Sequence, residues 1–125
     1  MPYAHLRIAG EPAGPDGLRH LHDEMTRIVA SLLGKKAELT AVDIEEVPLS
    51  GWAVGTHRTK RVAHLEVLVT AGTNSPEQKE RFIAAAYGLL REIFGADLHP
   101  VSYVVIRDLS ADSWGYGGLT QAARR

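Results

Sequence analysis

Ser75-Pro76-Glu77-Gln78 opens the stretch on which the fold turns, and Gly95 closes it. Between them Phe82, Ala85, Ala86, Leu89, Leu90, Ile93 and Phe94 recur at i, i+3, i+4 and i+7, the period of a helix with one apolar stripe. Ser75 suits the N-cap, Pro76 the first turn, Glu77 the positive end of the dipole, and Gln78 the return arm of a capping box. Working outward, Val62–Thr70 and Val101–Arg107 read as strands, the second dense in β-branched and aromatic residues. A strand, a helix and a strand in that order predict a right-handed βαβ unit with its two strands parallel.

The first half repeats the plan. Strands are expected at Ala4–Ala9 and Thr40–Val47. Between them Leu18, Leu21, Met25, Ile28, Val29, Leu32 and Leu33 form a helical stripe that starts near Asp16 and ends at Gly34. Ala4-His5-Leu6 recurs as Ala63-His64-Leu65 at an offset of 59, Leu33-Gly34 as Phe94-Gly95 at 61, and Trp52 and Gly55 as Trp114 and Gly117 at 62. Two copies are too few and too long for a solenoid, so duplication of a βαβ unit is the reading. The fold class expected is α+β, a two-layer α/β sandwich: tandem βαβ units forming a four-stranded sheet with both helices on one face. Residues 1–125 then form a single domain of two pseudo-repeats, 1–56 and 62–125, joined by the polar, basic Thr56–Arg61. In Val62–Thr70 one face is wholly apolar and the other mixed, which points to burial of the helix-free face between subunits.

The chain of 125 residues is 45% hydrophobic and 23% charged, which excludes wholesale disorder and fits one core. A net charge of −1 argues against a dedicated nucleic-acid binder. No apolar run of membrane-spanning length and no secretory leader pattern is visible, so a cytoplasmic protein without membrane association is expected. The absence of cysteine removes disulfides, thiolate metal sites and thiol nucleophiles. No His/Asp/Glu spacing matches a metal motif, and no metal site is expected. His20 and His22 cannot face the same way on a helix; His22, beside the apolar stripe, reads as a packed residue.

Pro2 is the residue with chemical promise. Removal of Met1 would leave it with a free secondary amine. A free α-amino group titrates at roughly 7.7–8.0, and an apolar pocket lowers that by disfavouring the cation. Such an amine suits general acid–base work. A Met-Pro start is also a common outcome of processing alone.

Company decides between these readings. Pro2-Tyr3-Ala4-His5-Leu6-Arg7-Ile8 opens one βαβ unit, and Ser75-Pro76-Glu77-Gln78-Lys79, Val104-Val105-Ile106-Arg107-Asp108-Leu109 and Trp114-Gly115-Tyr116-Gly117-Gly118 follow in the second. Over nearly its whole length the chain resembles the tautomerase superfamily typified by 4-oxalocrotonate tautomerase, in a fused form with two units per chain. The resemblance implies an isomerase that uses the amino-terminal proline as base or acid, without metal or organic cofactor, on a small enol, 2-oxo or unsaturated organic acid. It implies a homotrimer, with pockets completed by neighbouring units. It places Pro2 at the catalytic position and Trp114 at the pocket aromatic, where a dry wall would hold the amine's pKa down; Trp114 also reads as a core or interface anchor. The repeat puts Arg61 opposite Pro2 in the second half. The alternatives carried by the same resemblance are a hydratase, decarboxylase or dehalogenase with a cationic Pro2, and a non-catalytic small-ligand or assembly domain.

Two family arginines are missing. The turn after the first strand reads Gly10-Glu11-Pro12 in one half and Gly72-Thr73-Asn74 in the other, and Ala41 and Tyr103 stand early in the second strands. Arg107 is the substitute expected to bind a carboxylate, sharing a strand face with Tyr103 and Val105. Tyr103 would then donate to a developing enolate. Arg107 also reads as the partner of a structural ion pair with Glu45, its counterpart in the second strand of the first half.

Overall fold

A computed structural model describes residues 2–124. Strand β1 (Tyr3–Ala9) leads through a turn into helix α1 (Gly14–Leu33) and returns as β2 (Ala41–Val47). A hairpin follows, β3 (Ala53–Val54) with β4 (His57–Arg58). Strand β5 (Val62–Thr70), helix α2 (Pro76–Phe94) and β6 (Tyr103–Leu109) repeat the unit, and a hairpin of β7 (Gly115–Tyr116) and β8 (Leu119–Thr120) ends it.

The sheet runs β2-β1-β5-β6. Each βαβ unit contributes a parallel pair, and the units meet antiparallel through β1 and β5, with Leu6 opposite Leu65. Ala4, Leu6 and Ile8 of β1 and Ala63, Leu65, Val67 and Val69 of β5 point to one face and are buried there. Against them pack Leu21, Met25, Val29 and Leu33 of α1 and Phe82, Ala86, Leu89 and Leu90 of α2. This is the two-layer sandwich with both helices on one face that the strand alternation and helical stripes predict.

Helix ends follow their signals. Ser75 accepts from the Gln78 amide while the Gln78 side chain accepts from the Ser75 amide, closing the capping box. Gly34 takes the left-handed conformation, φ 66°, where a Cβ would be strained, and ends α1. α1 begins at Gly14, a half-turn earlier than its stripe implies, with Pro15 in its first turn.

Several expectations need correction. The last core strand spans Tyr103–Leu109 instead of Val101–Arg107. Thr56–Arg61 is no plain link, because His57–Arg58 is the return strand of a hairpin matching the carboxy-terminal one. His22 is exposed, since the buried stripe of α1 passes through Leu21 and Met25.

Arg61 is not the counterpart of Pro2. In the ladders Tyr3 pairs with Ala41 and His64 with Tyr103, while Ala4 pairs with Val67 and Leu6 with Leu65. Matching the ladder starts, Tyr3 with His64 and Ala41 with Tyr103, and the helix ends, Gly34 with Gly95, maps Ala4 onto Leu65 and Pro2 onto Ala63. The Ala-His-Leu match is thus two residues out of step, a slip that keeps every side chain on its own face and so leaves the apolar pattern intact. Ala63 lies inside β5, and its amide N–H donates to Ser102 Oγ at 3.1 Å. Arg61 instead donates to the Phe94 carbonyl at 2.9 Å and lies over the Phe94 ring at 5.2 Å.

Candidate active site

Pro2 is buried where β1 begins, and its carbonyl accepts from the Ala41 amide at 3.2 Å. It lines a cavity of about 450 Å³ together with Tyr3, Leu39, Ala41, Trp114 and Tyr116. The wall is built from both halves: the first strand, the start of β2 and the short turn before it come from one, the β7–β8 hairpin from the other. The hairpin folds over because Gln121 N–H donates to the Trp114 carbonyl at 2.9 Å and Ala122 N–H to Ala111 at 2.8 Å. The Trp114 indole N–H donates to Thr70 Oγ1 at 3.2 Å, fixing the ring from the end of β5. Glu38 is the one carboxylate on this wall. The volume suits a small organic ligand.

Of the four residues singled out in the sequence, the structure brings Pro2 and Trp114 together. Tyr103 and Arg107 lie elsewhere, on the helix-free face of β6, exposed and off the cavity wall. Arg107 pairs with Glu66 at 2.9 Å on the neighbouring strand. Glu45, the partner expected for it, sits on β2 across the sheet, near His5 Nε2 at 3.3 Å. Tyr103 rests near His64, their rings 6.5 Å apart. Trp52, the first-half copy of Trp114, lies under the Arg7 guanidinium at 5.3 Å.

Sequence reasoning missed the electrostatics around Tyr3. Tyr3 Oη donates to Asp43 at 2.7 Å, and His5 Nδ1 bonds the other oxygen of Asp43. Burial works against the Asp43 carboxylate, but the bonds from His5 and Tyr3 outweigh it and hold its pKa below the usual range. The same bond to Asp43, with burial and the carboxylate's charge behind it, pushes the Tyr3 phenol above its ordinary value. Parallel register sets this up by placing Tyr3 and His5 of β1 beside Ala41 and Asp43 of β2.

A second groove, of about 710 Å³, adjoins the Pro2 cavity and shares Leu39, Tyr116 and Gln121 with it. Its wall carries Lys35, Lys36 and Arg124 and no carboxylate. Among the described residues, no group of three or more His, Asp or Glu side chains could hold a metal ion, and no helix is long and apolar enough to cross a membrane.

Comparison with known proteins agrees with this architecture. The model of the tautomerase enzyme family matches residues 64–124. A solved protein inactivated by 2-oxo-3-pentynoate superposes with a TM-score of 0.84 at 18% identity, covering 98% of each chain. A wild-type fused 4-OT asymmetric trimer gives 0.80 at 19% identity, over 96% of this chain and 98% of that one. The macrophage migration inhibitory factor-like protein of Entamoeba histolytica gives 0.76 at 16% identity, over 95% and 97%. No curated protein sequence matches the chain.

Proposed function

We propose that this chain, whose residues 64–124 belong to the tautomerase family and whose whole length takes the fold of the fused 4-OT proteins, is a cofactor-independent tautomerase with Pro2 as its general base. The substrate is a small unsaturated 2-hydroxy or 2-oxo acid. The observation that carries the reading is the burial of Pro2 on a cavity wall shared with Trp114 and Tyr116. Aromatic and aliphatic walls disfavour the ammonium form of the amine left by Met1 removal, which shifts it toward the pKa range where a base works near neutrality. The amine takes the enol hydroxyl proton and returns it to carbon as the carbonyl forms, so the net change is an isomerisation. Trp114 and Tyr116 exclude water from the amine, and Tyr3, held by Asp43, borders it.

Assembly as a homotrimer belongs to the same reading. On the helix-free face Tyr103 and Arg107 of β6 stand exposed, as do Tyr3 and Arg7 of β1 on the other side of β5, a surface rich in hydrogen-bonding groups. Similar folds are solved as trimers. Arg107 and Tyr103 then serve this face, as ion-pair and packing residues, instead of contacting substrate.

The test is ketonisation of phenylenolpyruvate and 2-hydroxymuconate by protein whose intact mass shows Met1 removed. Pro2→Ala is expected to lose on the order of 10²–10⁴-fold, the usual worth of a positioned acid–base group. Equal rates for the two proteins end the proposal. A Pro2 titration well above neutral pH transfers the site to acid chemistry such as hydration.

A further inference from the structure

We infer that His5 is a positioning residue for the Pro2 amine: its imidazole braces Asp43, and Asp43 staples Tyr3, and with it the start of the chain, to β2. The inference rests on the tautomerase reading for its kinetic consequence but not for the staple itself. In the processed chain the amine stands on the first residue, where a strand frays most readily. The backbone holds it there by a long bond, from the Ala41 amide to the Pro2 carbonyl at 3.2 Å. Among the described residues, the bond from Tyr3 Oη to Asp43 at 2.7 Å is the one side-chain hydrogen bond made by residues 2–4.

Register builds the brace. β1 and β2 run parallel, with Tyr3 beside Ala41, His5 beside Asp43 and Arg7 beside Glu45. Alternation puts all six on the helix-free face. Tyr3 Oη takes one oxygen of Asp43 and His5 Nδ1 the other, so the carboxylate is fixed at both ends. His5 Nε2 lies 3.3 Å from Glu45 Oε1. A neutral imidazole has one N–H, and only the imidazolium presents a proton to both carboxylates.

Charge balance leaves this task to His5. Asp43 and Glu45 are like charges on one face of an edge strand. Among the described residues no lysine or arginine pairs with either. Arg7, two residues along β1, lies over Trp52 at 5.3 Å. On the other flank β5 sets Glu66 opposite His5 and His64 opposite Arg7; Glu66 is taken by Arg107 at 2.9 Å, and His64 faces Tyr103. The His5 side chain is 31% exposed and that of Asp43 54%, so water screens the pair and its worth lies in where it holds Tyr3.

His5→Ala and Tyr3→Phe, singly and together, test this in protein with Met1 removed. Hydrogen exchange of the Ala41 amide, followed by NMR, reports opening of the chain start. Ketonisation of phenylenolpyruvate is resolved into kcat and KM. His5→Ala is expected to speed Ala41 exchange and to lower kcat, each by roughly fivefold to tenfold, with KM nearly unchanged. In the Tyr3→Phe background, where no phenol is left to hold, it should change neither by more than about twofold. A defect of folding or assembly would act on both backgrounds alike, and that outcome overturns the positioning role. So does Ala41 exchange that ignores His5→Ala, or faster exchange with kcat unchanged in a protein that Pro2→Ala inactivates. A His5 effect on exchange that vanishes in Tyr3→Phe, in a protein whose ketonisation ignores Pro2→Ala, upholds the staple and removes the tautomerase.

Discussion

Thr70→Val isolates the bond that sets the pocket aromatic. Thr70 is 7% exposed, and its hydroxyl accepts from the Trp114 indole at 3.2 Å. Valine keeps the side-chain shape and leaves the Thr70 carbonyl free to accept from the Thr73 hydroxyl, so that bond survives. A neutral hydrogen bond is worth about 0.5–1.5 kcal/mol net, and a buried donor left unpaired adds about 1–3 kcal/mol. Trp114 is only half-buried, so its freed N–H recovers part of that from water, and about 1–2 kcal/mol is expected. Over 125 residues, an unfolding entropy of about 2.1 cal/mol/K per residue converts this into a Tm lower by roughly 4–8 °C. Since 1.4 kcal/mol is tenfold, a loosened wall lowers kcat/KM for ketonisation by up to about tenfold. Thermal unfolding by circular dichroism reads the first effect and steady-state kinetics the second. Trp114→Phe supplies the control, because without an indole N–H the Thr70 hydroxyl has nothing to accept there. In that background Thr70→Val should cost less than about 0.5 kcal/mol. An equal loss with and without the indole would refute the assignment.

Two further variants test other parts of the fold. Ser75→Ala removes one arm of the capping box of α2 and should cost about 1 kcal/mol, read by chemical denaturation with an unchanged m-value. Asp43→Asn tests the cluster beside Pro2 by its pH dependence. Asp43 is depressed in the fold, so its contribution is fully present above the unfolded carboxylate pKa and fades as pH falls through the lower folded value. The stability gap between parent and Asp43→Asn should hold constant from neutrality to about pH 4.5 and close below that. Tyr3 behaves oppositely: its raised pKa gives a contribution present below the ordinary phenol value and lost as pH rises through the folded one. By ultraviolet absorbance, one phenol of the parent should titrate at higher pH than in Asp43→Asn.

What could be read from the sequence is what short-range physics dictates. The α2 cap, the glycine end of α1 and the alternation of β5 each depend on neighbours within a few residues, and each lies where its pattern placed it. The two-unit sheet followed from repeated order. Register did not, because Ala4-His5-Leu6 against Ala63-His64-Leu65 is a slip of two, and side-chain alternation is blind to even slips. Pairing of Arg107 failed for a related reason: alternation named its face but not its neighbour, which depends on how β5 and β6 align. Pro2 and Trp114 were singled out on a family resemblance, and the fold sets both on one cavity wall. The Tyr3–Asp43–His5 cluster was not, for Asp43 lies about 40 residues from the other two until parallel register sets them side by side.

Ala63 has an implication for stoichiometry. A polypeptide has one amino terminus, so joining two related units converts the second unit's starting nitrogen into an ordinary amide. Here that amide is committed to Ser102 inside a sheet strand, and the matching tryptophan, Trp52, is roofed by Arg7. Titration with a reagent that alkylates a terminal amine should therefore saturate at one equivalent per chain, with nothing added by the second unit.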